Sequence, residues 1–168
     1  EYGGRFDSQA EEAIIAMVSE PTISGLSILG GDPLCQDECG LITLSMLCNR
    51  VRYRGKTVWL WTGYTWEDIF SLPCRDARHQ FQKFLVADCN VVVDGTFQQE
   101  LADRKLVWKG SSNQRVIDIQ ASLLAGSVIN IKIVEVVFET TEILAVSALA
   151  LATVSLCLTS VSAILKRH

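Results

Sequence analysis

Three apolar runs in this chain each end in a glycine-bearing turn, and that repetition limits the folds open to it. Gly25 to Leu29 runs into Gly30-Gly31-Asp32, Thr57 to Thr62 into Gly63-Tyr64, and Cys89 to Val93 into Asp94-Gly95. Short apolar runs bounded by Gly, Asp and Pro read as buried strands. Between the first two, Gln36 to Arg52 carries Leu41, Leu44, Leu47, Cys48 and Val51 at helical spacing. Strands alternating with helices imply βαβ units and an α/β fold with a mainly parallel sheet. Ligands of such sheets lie beyond the carboxyl ends of the strands, so the three turns are expected along one binding edge. Glycines there bring no Cβ, which lets a ligand approach bare main-chain groups, and Pro33 stiffens the exit.

The remaining elements follow from local signals. Ser8-Gln9-Ala10-Glu11 has the form of a capping box, and Ala10, Ile14, Met17 and Val18 share a face, predicting a helix from Ser8 to Ser19. Thr65 is placed to cap a short helix through Phe70, and Leu106 to Lys109 reads as one more strand. Ser71 to Gln80, with Pro73 and several charges, reads as a mobile surface loop.

At 168 residues and 49% hydrophobic content the chain can build a core without disulfides or metals. A net charge of −4 provides no basic footprint, so no nucleic-acid partner is expected. Six cysteines at irregular spacings favour reduced thiols and a cytoplasmic setting over a disulfide framework. From Ile143 to Leu165 there are 23 residues without a charge, long enough to cross a bilayer. This run is a candidate membrane attachment, although its Ala, Ser and Thr content weakens insertion. Lys166 and Arg167 behind it would put the glycine-turn domain outside, in conflict with a reducing compartment. The expected division is a domain over residues 1–127 and an apolar helical tail over 128–168.

Taken together, four segments resemble one family. They are Gly25-Leu-Ser-Ile-Leu-Gly-Gly-Asp-Pro-Leu34, Val58-Trp-Leu-Trp-Thr-Gly-Tyr64, Val91-Val-Val-Asp-Gly95 and Lys109-Gly-Ser-Ser-Asn-Gln-Arg115. In this order they are similar to the activating proteins of anaerobic ribonucleoside-triphosphate reductase, a branch of the radical S-adenosylmethionine enzymes. The resemblance implies a partial (β/α) barrel and a 4Fe-4S cluster that cleaves S-adenosylmethionine to place a glycyl radical on the reductase. It also implies two partners, the reductase and an electron donor such as flavodoxin. By the same resemblance Gly30, Gly31, Asp32 and Pro33 receive the methionine ammonium, while Thr62, Gly63 and Tyr64 contact the ribose or adenine side.

The family's CxxxCxxC loop, whose thiolates bind the irons, is upstream of the glycine turn, and no such triplet occurs here. Cys35 and Cys39 have the first spacing, but they follow the turn and Ile42 stands where a third cysteine would be, so no metal ligand and no catalytic residue is assigned. With Glu1 in place of a starting Met, the expectation is a fragment truncated at the N-terminus and inactive by itself. A non-catalytic remnant that binds S-adenosylmethionine or the reductase, or a membrane-tethered interaction protein, are the alternatives.

Each signal also has a plain structural reading. Gly30 to Pro33 can be a tight βα turn with Asp32 capping the next helix, and Trp59, Trp61 and Tyr64 can be core. Ser111-Ser112-Asn113 can simply turn the chain, and Arg115 is the member of its segment to test for docking the reductase. Asp94 and Gly95 read equally as a turn with a self-bonding Asp and as active-site edge. With only His79 and His168 available, no histidine-based site assembles, and no phosphate-loop or GxGxxG motif is present.

Overall fold

A computed structural model describes residues 6–71 and 73–131. The apolar run at 143–165, and with it the tail proposed as a membrane attachment, lies outside the described residues. Among the described residues no helix is long and apolar enough to cross a membrane.

The architecture is mixed α/β. Helix α1 (Ser8–Val18) leads into β1 (Gly25–Ile28), α2 (Glu38–Tyr53), β2 (Thr57–Trp61), α3 (Ala77–Ala87), β3 (Val91–Asp94), β4 (Arg115–Asp118) and α4 (Ile119–Ala125). The four strands form one sheet in the order β1-β2-β3-β4. β1 pairs parallel with β2, with Gly25 opposite Thr57 and Ile28 opposite Leu60. β2 pairs parallel with β3 from Trp59 opposite Val91, and β4 runs antiparallel to β3. Among the described residues the sheet is therefore mostly parallel, as expected, and not closed; residues 129–131 run antiparallel along the far side of β4, with the Asp118 N–H donating to the Ile129 carbonyl and the Ile131 N–H to the Val116 carbonyl.

Strand alternation sorts the apolar residues into two cores. Val58, Leu60, Val92 and Ile117 point to the helical face, where they pack with Leu41, Leu47 and Val51 of α2 and Leu85 and Val86 of α3. Trp59, Trp61, Val91, Val93 and Val116 form a second cluster on the opposite face. Trp108 leans on that cluster with its ring 5.1 Å from Trp59, and its carbonyl accepts the Trp61 indole N–H at 3.0 Å. These contacts offset the left-handed backbone of Trp108, at φ 65°, which is unusual for so bulky a residue. Gly25 allows β1 to lie close to β2, because a Cβ there would sit 2.1 Å from the Thr57 carbonyl oxygen.

Several sequence expectations need correction. The cap of α1 is Asp7, whose carboxylate accepts the Ala10 N–H at 2.9 Å, and Ser8 is already helical. Its buried residues are Ile15 and Val18, whereas Met17 is 60% exposed. Residues 106–109 form no strand, since Trp108 in a left-handed conformation cannot extend a ladder. The fourth strand is instead Arg115–Asp118, where only two apolar residues stand between two charges. The supposed loop of residues 71–80 contains the start of α3. Asp76 caps this helix by accepting the His79 N–H at 2.7 Å. His79 is 4% exposed, takes the Arg75 N–H on Nδ1 at 3.2 Å, and lies 3.2 Å from the Asp68 carbonyl through Nε2. With Nδ1 accepting, Nε2 carries the proton and donates.

Candidate functional site

The turns after β1, β2 and β3 meet at one edge of the sheet, and hydrogen bonds join them into a single surface. Asp32 is the joint between the first two. It caps a single 3-10 turn, Pro33–Cys35, by accepting the Leu34 N–H on Oδ1 at 2.9 Å. The same carboxylate accepts the Thr62 hydroxyl at 2.9 Å and, on Oδ2, the Gly63 N–H at 2.7 Å. Thr62, which is 5% exposed, in turn accepts the Tyr64 N–H at 3.2 Å. The second and third turns are tied by the Thr96 hydroxyl donating to the Gly63 carbonyl at 3.1 Å and the Gly95 N–H donating to the Tyr64 carbonyl at 3.1 Å.

Gly30 and Gly31 are the open part of this edge. Gly30 has φ +101°, a conformation that other L-residues rarely adopt, and a Cβ at either glycine would meet nothing within 4 Å. No hydrogen bond among the described residues engages their main-chain groups. Beside them, between the outer side of β1 and the start of α2, lies a cavity of about 560 Å³ lined by Ile28, Leu29, Gly31, Pro33, Gly40 and Thr43 among others. That volume is in the range of small-molecule sites.

The other candidate residues take defined places. Pro33 is buried behind the turn and borders the cavity. Tyr64 is half-buried, and its hydroxyl lies 3.8 Å from the Cys35 thiol. Asp94 is neither free nor self-bonded. It is 1% exposed, accepts the Trp66 N–H at 2.8 Å, and meets the Arg115 guanidinium through Nε at 2.9 Å and also through Nη2. Arg115 also forks onto Glu67 at 3.0 and 2.7 Å. Hydrogen bonds to Asp94 and then Glu67 raise the Arg115 pKa further, and the bond from Arg115 holds the Glu67 carboxyl below its ordinary value. Arg115 thus fixes the end of β3 to β4 and to the π-helical turn Glu67–Ser71.

The rest of the fourth segment braces the third turn. Gln114 accepts the Gly110 and Ser111 N–H groups and donates to the Gly95 carbonyl at 2.9 Å, while Asn113 donates to the Thr96 carbonyl at 2.8 Å. Two residues of α3 that sequence reasoning did not single out also reach the site. Arg78 and Gln82 both donate to the Leu34 carbonyl, each at 2.8 Å.

Among the described residues no three thiols converge. Cys48 and Cys89 are buried in the core, whereas Cys35, Cys39 and Cys74 are exposed. Cys89 donates to the Leu85 carbonyl at 3.2 Å, and its hydrogen bond with Cys48, with burial, pushes its pKa well up. Among the described residues no three His, Cys, Asp or Glu side chains are grouped to hold a metal ion. Those residues therefore do not fit a 4Fe-4S cluster, which needs converging thiolates. S-adenosylmethionine fits better, because its amino-acid end can be met by free main-chain groups beside a cavity of suitable size.

The family model for a 4Fe-4S single cluster domain matches residues 1–117. The chain is 35% identical over 116 residues to the anaerobic ribonucleoside-triphosphate reductase-activating protein of Salmonella typhi, covering 68% of this chain and 70% of that protein. The protein of the same name from Vibrio cholerae is 37% identical over 116 residues, covering 67% and 68%. That of enterobacteria phage T4 is 32% identical over 114 residues, covering 68% and 65%. No solved structure matches the chain. The chain belongs to the family of anaerobic ribonucleoside-triphosphate reductase-activating proteins, within the radical S-adenosylmethionine enzymes.

Proposed function

We propose that this protein binds S-adenosylmethionine along the glycine edge and serves to place a glycyl radical on an anaerobic ribonucleoside-triphosphate reductase, with electrons from a flavodoxin-like donor. The observation that carries this reading is the free main chain of Gly30 and Gly31, set beside a cavity on an edge built from three turns. When bound, S-adenosylmethionine would supply the hydrogen-abstracting chemistry: one added electron would split a sulfur–carbon bond to give methionine and a 5′-deoxyadenosyl group, which would take a hydrogen atom from a glycine of the reductase and leave as 5′-deoxyadenosine. The protein's own part is positioning. The Asp32 carboxylate is already engaged by Leu34, Thr62 and Gly63, so the methionine ammonium is received by the main chain of Gly30 and Gly31. Asp32 sets where that main chain lies. Gly63 and Tyr64, on the adjoining turn, face the nucleoside part.

A second reading, binding of S-adenosylmethionine or the reductase without radical generation, is favoured by the lack of a three-thiolate set among the described residues. One experiment separates the two. The full chain is reconstituted anaerobically with iron and sulfide, titrated calorimetrically with S-adenosylmethionine and separately with the reductase, then mixed with reductase, S-adenosylmethionine and a one-electron donor. Heat of binding together with a glycyl radical doublet in the electron paramagnetic resonance spectrum supports the first reading. Heat with either ligand but no doublet supports the second, and absence of heat with both S-adenosylmethionine and the reductase refutes both.

A further inference from the structure

The glycine turn is held from two sides. On one, Asp32 ties it to the turn after β2. On the other is the single 3-10 turn Pro33–Cys35, which leaves carbonyls that no continuing helix can satisfy. Leu34 is fully buried, and its carbonyl accepts both Arg78 Nη2 and Gln82 Nε2 at 2.8 Å. Arg78 Nε donates to the Gln36 carbonyl at 3.0 Å. Arg78 and Gln82 stand four residues apart, on one face of α3. Gln82 is only 5% exposed, and a buried amide is costly unless it is bonded. The inner face of α3 thus commits two polar side chains to the segment that carries the turn.

We infer that Arg78 and Gln82 are positioning residues for the glycine turn, so that recognition of S-adenosylmethionine after β1 depends on the helix of the following βα unit. The inference rests on the reading of that turn as the S-adenosylmethionine site. Neither side chain touches the ligand's place. They fix the far end of a strap whose near end is Asp32, and Gly30 and Gly31 present their main chain from that strap.

Hydrogen exchange tests the positioning directly. The Leu34 and Cys35 amides donate to the Asp32 side chain and carbonyl, each at 2.9 Å, and report whether the strap is closed. In the full chain, Gln82→Leu, which loses one bond to the buried Leu34 carbonyl, is expected to speed exchange at these two amides about tenfold, and Arg78→Ala, which loses the bonds to Leu34 and Gln36, at least as much. S-adenosylmethionine affinity by calorimetry is expected to fall by about the same factor, while the amides of Val91–Asp94 keep their protection. Arg78→Lys, which restores one donor, should recover part of both effects. Arg78 is only half-buried, so its variants carry the test even if Gln82→Leu unfolds the domain. Unchanged exchange at Leu34 and Cys35 in Arg78→Ala overturns the inference, as does faster exchange spread equally over β3, or an unchanged affinity. If the unmutated chain takes up no S-adenosylmethionine, the reading of the turn as a ligand site fails, while the exchange rates still decide whether α3 positions it.

Discussion

Replacing Asp32 separates a carboxylate that braces the protein from one that waits for a ligand. Its two oxygens accept the Leu34 N–H, the Thr62 hydroxyl and the Gly63 N–H at 2.9, 2.9 and 2.7 Å. Leu34 is fully buried and Thr62 is 5% exposed, so two of these donors cannot turn to water when the acceptor is lost. Hydrogen bonds to a charged group are each worth about 1.5–3 kcal/mol, and loss of a cap costs about 1 kcal/mol. The three bonds share one side chain and do not add in full, so Asp32→Ala is expected to cost about 3 kcal/mol. Asp32→Asn keeps one acceptor oxygen but turns an amide N–H toward a donor, and about 2 kcal/mol is expected. For a domain of this size these correspond to melting points lowered by about 10 and 6 °C. The assay is thermal unfolding by circular dichroism of the full chain without S-adenosylmethionine. If both variants melt within about 1 °C of the parent, Asp32 is not a brace, and a direct bond to the methionine ammonium becomes the better account.

Gly25→Ala would place a Cβ 2.1 Å from the Thr57 carbonyl oxygen, so β1 and β2 must separate; a loss of about 3 kcal/mol or more in urea unfolding is expected, and a near-neutral result would contradict the close strand approach. Arg115→Ala leaves the Asp94 carboxylate buried with only the Trp66 N–H. About 3 kcal/mol is expected in the same assay, at the low end for a buried pair because the guanidinium is 31% exposed. Arg115→Lys should rescue little, since an ammonium cannot fork onto both Asp94 and Glu67. Acid should weaken the same corner. Glu67 is held below its ordinary value of 4.5 by the bond from Arg115, and Asp68 below 3.8 by the Thr65 N–H and hydroxyl. Lowered values mean that their contributions are complete above those ordinary values and are lost as pH falls through the folded ones. Melting points from pH 7 to 2.5 should show a loss beginning only below about pH 4.5, shallower in Glu67→Gln; an identical acid limb in that variant would remove Glu67 from the account.

What could be read from the sequence is what depends on neighbours along the chain. β1, α2, β2 and the glycine turns were legible because apolar period and Gly-Asp-Pro punctuation are local signals. β4 was not, because Val116 and Ile117 alone make too short a run between Arg115 and Asp118. α3 was missed for a different reason. Its buried residues are His79, Gln82, Leu85 and Val86, a true helical stripe whose first half is polar. Extending the Leu85–Val86 face back by three and seven residues reaches Gln82 and His79, and that arithmetic was the available signal. Polarity hid it, since polar residues between charges read as surface.

The same cause limited the reading of the site. The sequence shows that Asp32 follows two glycines, but its role depends on Thr62 and Gly63, 30 and 31 residues away. Only the register of β1 beside β2 brings them within reach, and register is set by the whole sheet. Alone, the Asp32 carboxylate looks available to a cation. Surrounded by three donors it is a brace, and in the proposed reading the ligand meets the two residues beside it that have no side chains. A motif of this kind therefore marks where a ligand sits more reliably than which atom holds it. On that reading the glycines must stay bare for the main chain to be reached, whereas the acid serves the ligand through geometry alone.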